Sequence, residues 1–384
     1  MLIVRLKPGK EAPVLRGHPW IFSGAVDKVQ GEPHVHKFCR VLDAKGRFVC
    51  QGMYNPLSQI AVRVLTFGKE RLDRDFFEAR IKRAVELRRS VLPADVSCHR
   101  VVNAEGDGLP GLVVDRYGGC LVVQISTPGM EEVKAHVVDA LASLFPDALM
   151  VERSDTKARS VEGLRPEVGP LKGGGLGGDV VVSENGLSYA VDVLTGDRTG
   201  FYLEHRLTRS RIAAYAKGRR VLDLFSYSGS FSVCALAAGA VSVASVDSSA
   251  PAQALLRKNM ELNRIRPFVW RHHRDDAVSF LEADRDSYDL VLVDAPASVS
   301  EYREYRRVLD RAVARLGSPG ILFVAAGFNA QFSGPDLLKA VHKSASGLSR
   351  NVRVLETLSG PADFPWLPSH PEGLFQGGFV LYLD

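Results

Sequence analysis

The sequence predicts an α/β chain. A Rossmann-like nucleotide-binding domain closes it, a β-barrel-type domain opens it, and an α+β unit stands between. Three observations carry this prediction. Val221–Phe231 passes from an apolar run through a small Ser/Gly turn into an apolar helical pattern. From Gly186 onward, short apolar runs alternate with helical periodicities, the pattern of a largely parallel sheet with crossover helices. Residues 1–70 instead break short apolar runs with Gly, Pro and charged residues, as a small β-rich unit does. The expected boundaries are 1–70, 71–185 and 186–384.

In the first domain, Leu2–Leu6 and Val62–Phe67 read as strands, and Arg16–Gly24 as a compact turn with a basic start and an aromatic centre. Residues 73–91 predict a helix with Phe76, Phe77, Ile81, Ala84, Val85 and Leu87 on its apolar face. Arg74, Arg80, Lys82, Arg83, Arg88 and Arg89 take its other positions, as phosphate contacts or as a solvated face. Val101–Asp115 reads as strand, tight turn, strand; Leu121–Ile125 and Leu149–Arg153 as strands; Val133–Leu144 as a helix. Lys172–Gly178 reads as a plain loop, since no strand is expected to lead into it and no helix to leave it. The last domain is expected to place strands at Tyr189–Val193, Val221–Phe225, Ser242–Val246, Phe268–His272, Leu290–Val293, Ile321–Val324, Val352–Leu358 and Gly378–Leu383. Ala250–Asn263 and Ala277–Leu281 are among the helices between them.

Strand, tight turn, helix, strand and a terminal acid, Asp247, make half of a nucleotide-binding sheet. A small turn lets backbone N–H groups approach a ligand at the helix N-terminus, and the acid suits a ribose diol. Gly-x-Gly-x-x-Gly is absent, because Ser226 and Ser228 stand where glycines would be needed. No Gly-Lys-Ser/Thr follows, so the turn is not a P-loop either. A strand ending Asp-x-Phe-x-x-x-Gly is the pattern with which class I methyltransferases bind S-adenosylmethionine (SAM).

Composition narrows the setting. No apolar run approaches the length of a membrane span, and residues 1–7 do not form a signal peptide. Five scattered cysteines without CxxC spacing point to a reducing cytoplasm rather than to a disulfide framework or a zinc cluster. His34/His36, Cys98-His99 and His272-His273 are isolated pairs lacking the further ligands of a zinc site, so no metal is expected. The net charge of +5 is uneven. Residues 1–70 hold 11 Lys/Arg against 5 Asp/Glu, a balance of +6, while the rest of the chain stands at −1. A basic module of this kind suits a polyanion, most simply nucleic acid.

These motifs resemble the bacterial 23S ribosomal RNA cytosine-5 methyltransferases of the RlmI type, over nearly the whole length. The resemblance begins at Arg16-x-His-Pro-Trp-x-Phe-Ser-Gly24, similar to the family's PUA domain, an RNA-binding barrel. It continues through Glu105–Gly111, Asp115–Gly118, Arg153–Asp155 and Glu162-Gly163. Thr199–Arg206, Leu222–Gly229, Val246–Ser249, Arg274–Asp276, Pro371–Leu374 and Gly378-Phe379 complete it. It implies a PUA-like domain, a central α+β domain and a class I methyltransferase domain, with SAM as cofactor and RNA, ribosomal by resemblance, as partner. A homodimer is left open.

The resemblance also assigns roles. Phe225, Ser226, Tyr227, Ser228 and Gly229 line the SAM turn, with backbone contacts to the amino-acid moiety from Ser226 to Gly229. Asp247, beside Ser248, accepts the ribose hydroxyls, and Asp276 suits the adenine amino group. Phe201 and Arg206 belong to a segment that folds over the cofactor, and Asp294 is both a cofactor contact and the candidate catalytic residue. For both Asp247 and Asp276 a helix N-cap or loop role stays open.

At the reacting end the chain departs from the family. Cytosine C5 is a poor nucleophile, and the family activates it by adding a cysteine thiolate to C6. Here Gly327 stands at that cysteine. The Asp-Pro-Pro-Lys motif becomes Asp294-Ala-Pro-Ala297, and Ala297 stands where another branch of RNA cytosine-5 enzymes carries its cysteine. Three readings follow: a methyltransferase acting on an exocyclic nitrogen or hydroxyl, with Asp294 positioning the target; a silent SAM- and RNA-binding homologue; or an enzyme with a non-RNA substrate.

Overall fold

Leu2, Val4 and Leu6 point into a core while Ile3 and Arg5 are half-buried, the period-two burial of a strand with one covered face. The computed structural model describes residues 1–32, 37–175, 177–296, 299, 301–325 and 334–384. The chain forms two compact units. The first comprises Met1–Val180, Val191–Phe201 and Ala362–Leu374; the second comprises Val181–Ala190, Tyr202–Pro361 and Phe375–Asp384.

In the first unit Leu2–Leu6 belongs to a six-stranded sheet. Its order is Trp20–Phe22, Ile60–Thr66, Phe48–Tyr54, Phe38–Leu42, Leu2–Leu6, Val26–Gln30. Every pairing is antiparallel except that of Leu2–Leu6 with Phe38–Leu42. A five-stranded sheet follows, ordered Glu167–Lys172, Leu149–Ser154, Cys120–Ile125, Leu112–Tyr117, Cys98–Asn103. Helices Arg74–Val91 and Lys134–Leu144 bury Phe77, Ile81, Val85 and Val137 in one core with Val102, Leu121 and Val123.

Three expectations are corrected here. Leu87 is exposed, and Arg88, expected on an outer position, is 2 % exposed. The buried stripe runs 77, 81, 84, 85, 88, the i, i+4, i+7, i+8, i+11 series of a helix face, which leaves 87 outside it. Arg88 tolerates burial because both its terminal nitrogens meet Asp107, at 2.5 and 2.8 Å. A strand, Glu167–Lys172, does lead into the glycine-rich loop. It is an edge strand with three exposed and three half-buried residues and Pro170 in it, so neither apolar alternation nor strand propensity marks it.

A hairpin of Val180–Glu184 and Leu187–Val191, whose residues 181–190 open the second unit, begins its second strand two residues earlier than expected. Asn185 and Gly186 turn it with φ of 53° and 77°, the left-handed pair that a two-residue hairpin favours. The main sheet has β1 (Arg220–Leu224), β2 (Ser242–Val246), β3 (Trp270–His273), β4 (Tyr288–Val293), β5 (Leu316–Val324), β6 (Val352–Ser359) and β7 (Gln376–Leu383). Its order is β3-β2-β1-β4-β5-β7-β6, parallel through β5, with β7 antiparallel to both neighbours. The strand expected to begin at Phe268 begins at Trp270, because Pro267 opens a short 3₁₀ turn.

Six helices flank this sheet: α1 (Arg206–Ala216), α2 (Ser230–Ala237), α3 (Ala250–Leu262), α4 (Ala277–Ala283), α5 (Tyr302–Arg315) and α6 (Gly334–Ser346). Both faces are covered. Leu222, Leu224, Val291 and Val293 join one core with Leu281, Val308 and Leu337. Val221, Leu290 and Phe323 join another with Ile212 and Phe231. Strand alternation therefore turns Asp223 toward the same buried side as Val221. Among the described residues, no helix is long and apolar enough to cross a membrane.

Candidate functional site

The loop between β1 and α2 takes a left-handed backbone at alternate residues, with φ of 60° at Phe225, 45° at Tyr227 and 72° at Gly229. Such angles are costly for Phe and Tyr, and surrounding structure must hold them. Ser226 N–H donates to Val246 O at 3.0 Å and Gly229 N–H to Ser226 O at 2.8 Å. Asn259 Nδ2 donates to Ser228 O at 2.9 Å, and its own Oδ1 accepts from Ala190 N–H at 2.7 Å. Gly229 is required twice over. Its φ suits only glycine well, and a Cβ there would stand 2.7 Å from Leu256 Cγ.

The pinned turn buries polar atoms away from water. The hydroxyls of Ser226 and Ser228 and Asp223 Oδ1 are buried without a hydrogen-bond partner among the described residues. Gly229, the N-cap of α2, offers no side chain to the first N–H groups of that helix. Groups of this kind call for a ligand.

Asp247 lies one residue past β2. Its Oδ2 accepts from Tyr227 N–H at 2.9 Å and its Oδ1 from Ser249 N–H at 2.8 Å, so it ties the turn to the end of β2. A carboxylate has about four acceptor positions, which leaves room for a diol. Ser248 beside it is exposed. Asp276 is exposed and caps α4, its Oδ1 accepting from Val278 and Ser279 N–H at 2.9 and 3.1 Å. Arg206 opens α1, buried, with Nε 3.5 Å from Glu184 Oε2. Phe201 belongs to the first unit, buried, where its carbonyl accepts from the Tyr117 hydroxyl at 3.3 Å.

Asp294 directly follows β4. Because Val293 pairs with Leu224, Asp294 stands beside Phe225 at the start of the turn. His205 Nε2 lies 3.2 Å from Asp294 Oδ2, with the imidazole fully buried. The rings of Phe231, Phe375 and Tyr202 surround it at 5.5, 5.7 and 6.0 Å. Tyr202 also meets Tyr227 edge-on at 5.5 Å.

Burial pushes the Asp223 carboxyl up to about 7; the Ser232 hydroxyl opposes the rise, and the negative charges of Asp294 and Asp247 add to it. Burial and Asp294 likewise push the Tyr305 hydroxyl well above its ordinary value. Three carboxylates thus converge on the turn and favour a cation. SAM, with its sulfonium and ammonium charges, fits both this field and the unsatisfied turn.

Asp223 is the acid of the Asp-x-Phe-x-x-x-Gly pattern, but sequence reasoning assigned it no role of its own and passed over His205. His205 carried no signal beyond its place in Thr199–Arg206. Ala297, Gly327, His34 and His36 lie outside the described residues. Among the described residues Glu131, Glu152 and Glu167 have metal-like spacing, but Lys134 Nζ already sits 2.5, 3.0 and 2.9 Å from them.

Sheet order and site together define a class I methyltransferase. Residues 164–373 match the S-adenosylmethionine-dependent methyltransferase family, and residues 4–67 the PUA-like domain family. Ribosomal RNA large subunit methyltransferase I of Escherichia coli K12 is 34 % identical over 388 residues, covering 98 % of each chain. The same enzyme of strain UTI89 matches equally. A Streptococcus mutans chain described as a SAM-dependent methyltransferase superposes with a TM-score of 0.86 over all of both chains, at 19 % identity. A methyltransferase solved with S-adenosylhomocysteine gives 0.87 over the same full coverage, also at 19 %. At that identity these two structures speak for the fold. The chain belongs to the SAM-dependent methyltransferases, in the family of ribosomal RNA large subunit methyltransferase I. Its methyl donor is SAM.

Proposed function

We propose that this chain methylates large-subunit ribosomal RNA at an exocyclic nitrogen or a hydroxyl, without a cysteine adduct. The observation behind this reading is the state of its cysteines. All five are buried. Burial pushes Cys39 up to about 12, and Cys120 and Cys234 each to about 11, while Cys50 is raised further still. A thiol so placed supplies no thiolate at neutral pH. With Gly327 and Ala297 at the two expected positions, no nucleophile for C6 is at hand.

Bound SAM supplies an electrophilic methyl group. The backbone from Ser226 to Gly229, lined by Phe225 and Tyr227, holds its amino-acid end. Asp247, next to Ser248, takes the ribose hydroxyls. Asp276 takes the adenine amino group through the oxygen not used in capping α4. Arg206 belongs to the covering segment. Asp294 orients the target heteroatom. Residues 1–70 form the RNA-docking domain, residues 71–185 the central domain and residues 186–384 the catalytic one, and the +6 balance of the first supports that assignment.

The test is methyl transfer from labelled SAM to ribosomal RNA lacking modification, followed by nucleoside mass spectrometry. An N- or O-methylated nucleoside is expected. RNA carrying 5-fluorocytosine should leave no adduct on denaturing gels. A trapped crosslink at any cysteine, Cys234 included, or 5-methylcytosine as product, returns the chain to ordinary cytosine-5 chemistry.

A further inference from the structure

The geometry points to His205 as a positioning residue: we infer that it holds the Asp294 carboxylate in place as proton acceptor for the methylated heteroatom, an inference that rests on the function proposed above. Two facts place the pair at the reacting centre. The register of β1 and β4 sets Asp294 beside Phe225, where the cofactor turn begins. His205 Nε2 stands 3.2 Å from Asp294 Oδ2, within ion-pair reach though not aligned as a hydrogen bond in the ligand-free protein.

The two members are built differently. The Asp294 side chain is 15 % exposed and can meet a substrate; the His205 side chain is not exposed and cannot. Tyr202, Phe231 and Phe375 restrict the imidazole to few orientations. An imidazole N–H given to Oδ2 fixes that oxygen and leaves Oδ1 for the target. A loosely held carboxylate would lose much of its effect, since catalysis by a positioned base depends on geometry first.

The step balances without a thiol. The lone pair of the target nitrogen or oxygen forms the new bond to the methyl carbon. The carbon–sulfur bond breaks and its electron pair stays on sulfur, which becomes a neutral thioether. The heteroatom is left with a positive charge and a proton. Asp294 Oδ1 accepts that proton and passes it to solvent, while His205 keeps its own. The same carboxylate, poised before transfer, also orients the N–H or O–H of the target.

The test compares His205→Gln, His205→Leu, Asp294→Asn and the double variant H205L/D294N. Full-length protein, labelled SAM and ribosomal RNA lacking modification are used. H205L should lower kcat tenfold or more, with KM for RNA within twofold. SAM affinity by calorimetry should also stay within twofold. H205Q offers an N–H donor near the same place and should recover most of that loss. H205L/D294N should be no slower than D294N alone, because His205 acts only through Asp294. Losses that add, an unaffected kcat in H205L, or a loss that tracks SAM affinity would each overturn the pair. Wild-type protein that methylates no ribosomal RNA nucleoside would overturn the proposed function first and this inference with it. An active wild type beside an indifferent H205L overturns the inference alone.

Discussion

Ser232 donates its hydroxyl to Asp223 Oδ2 at 2.5 Å, while the other oxygen of Asp223 meets no donor among the described residues. Ser232 is itself held by Ser245, 2.7 Å away on β2. A carboxyl with one satisfied and one unsatisfied oxygen, buried under the cofactor turn, is a pH-sensitive part of the fold.

Stability of the ligand-free protein should therefore depend on Asp223. Burial raises its folded value from 3.8 to about 7, so folding takes up a proton between those limits. The folded state loses stability from this group as pH rises through that window, and the loss is complete above it. Asp223→Asn, which keeps an acceptor for Ser232, removes the dependence. The variant should match wild type near pH 4 and exceed it at pH 8 by roughly 1–4 kcal/mol. Melting curves across that range check this; equal pH profiles for both proteins would show that Asp223 is not the group responsible.

Asp247→Ala should weaken SAM binding tenfold or more, about 1.4 kcal/mol. The substitution removes the acceptor of the Tyr227 and Ser249 N–H groups as well as the diol contact. Calorimetry giving equal affinities would take Asp247 out of the site.

Gly229→Ala meets two obstacles at once, a φ of 72° and a Leu256 side chain 2.7 Å from the new carbon. A cost of about 1–3 kcal/mol is expected, together with loss of SAM binding. A variant with wild-type melting temperature and wild-type affinity would mean that the turn relaxes freely.

RNA affinity should fall, and its salt dependence flatten, when Lys10, Arg16, Arg40 and Lys45 are changed together to Ala. All four are exposed. Each RNA phosphate that the variant no longer neutralises should flatten the logarithmic salt slope by roughly 0.7–0.9. Deleting residues 1–70 is a poorer test. It would strip Glu162 of Arg63, at 2.7 and 3.0 Å, and of Asn55 and Ser58, leaving a buried carboxylate unpaired in the first unit. An unchanged salt slope in the fourfold variant would place the docking surface elsewhere.

Much of the molecule was legible in the chain, because local patterns carry it. Apolar runs at Leu2–Leu6, β1, β2 and β4, and the small turn from Ser226 to Gly229, are each written in consecutive residues. The family, its cofactor and the turn that suits that cofactor follow from such stretches. The edge strand Glu167–Lys172 was missed for the same reason, since none of its residues is fully buried and no alternation of buried and exposed positions marks it.

What only the tertiary structure decided depends on residues far apart in sequence. Arg88 looks like a surface cation until Asp107 and the Asp363 carbonyl close around it. Asp223 is only one letter of the turn pattern until burial, Ser232 and the converging Asp247 and Asp294 set its charge. His205 has no meaning in sequence until the fold brings it to Asp294, 89 positions away, at 3.2 Å. Charge states and proton paths depend on burial and on distances of a few ångströms, and those exist only once the strands have taken their order.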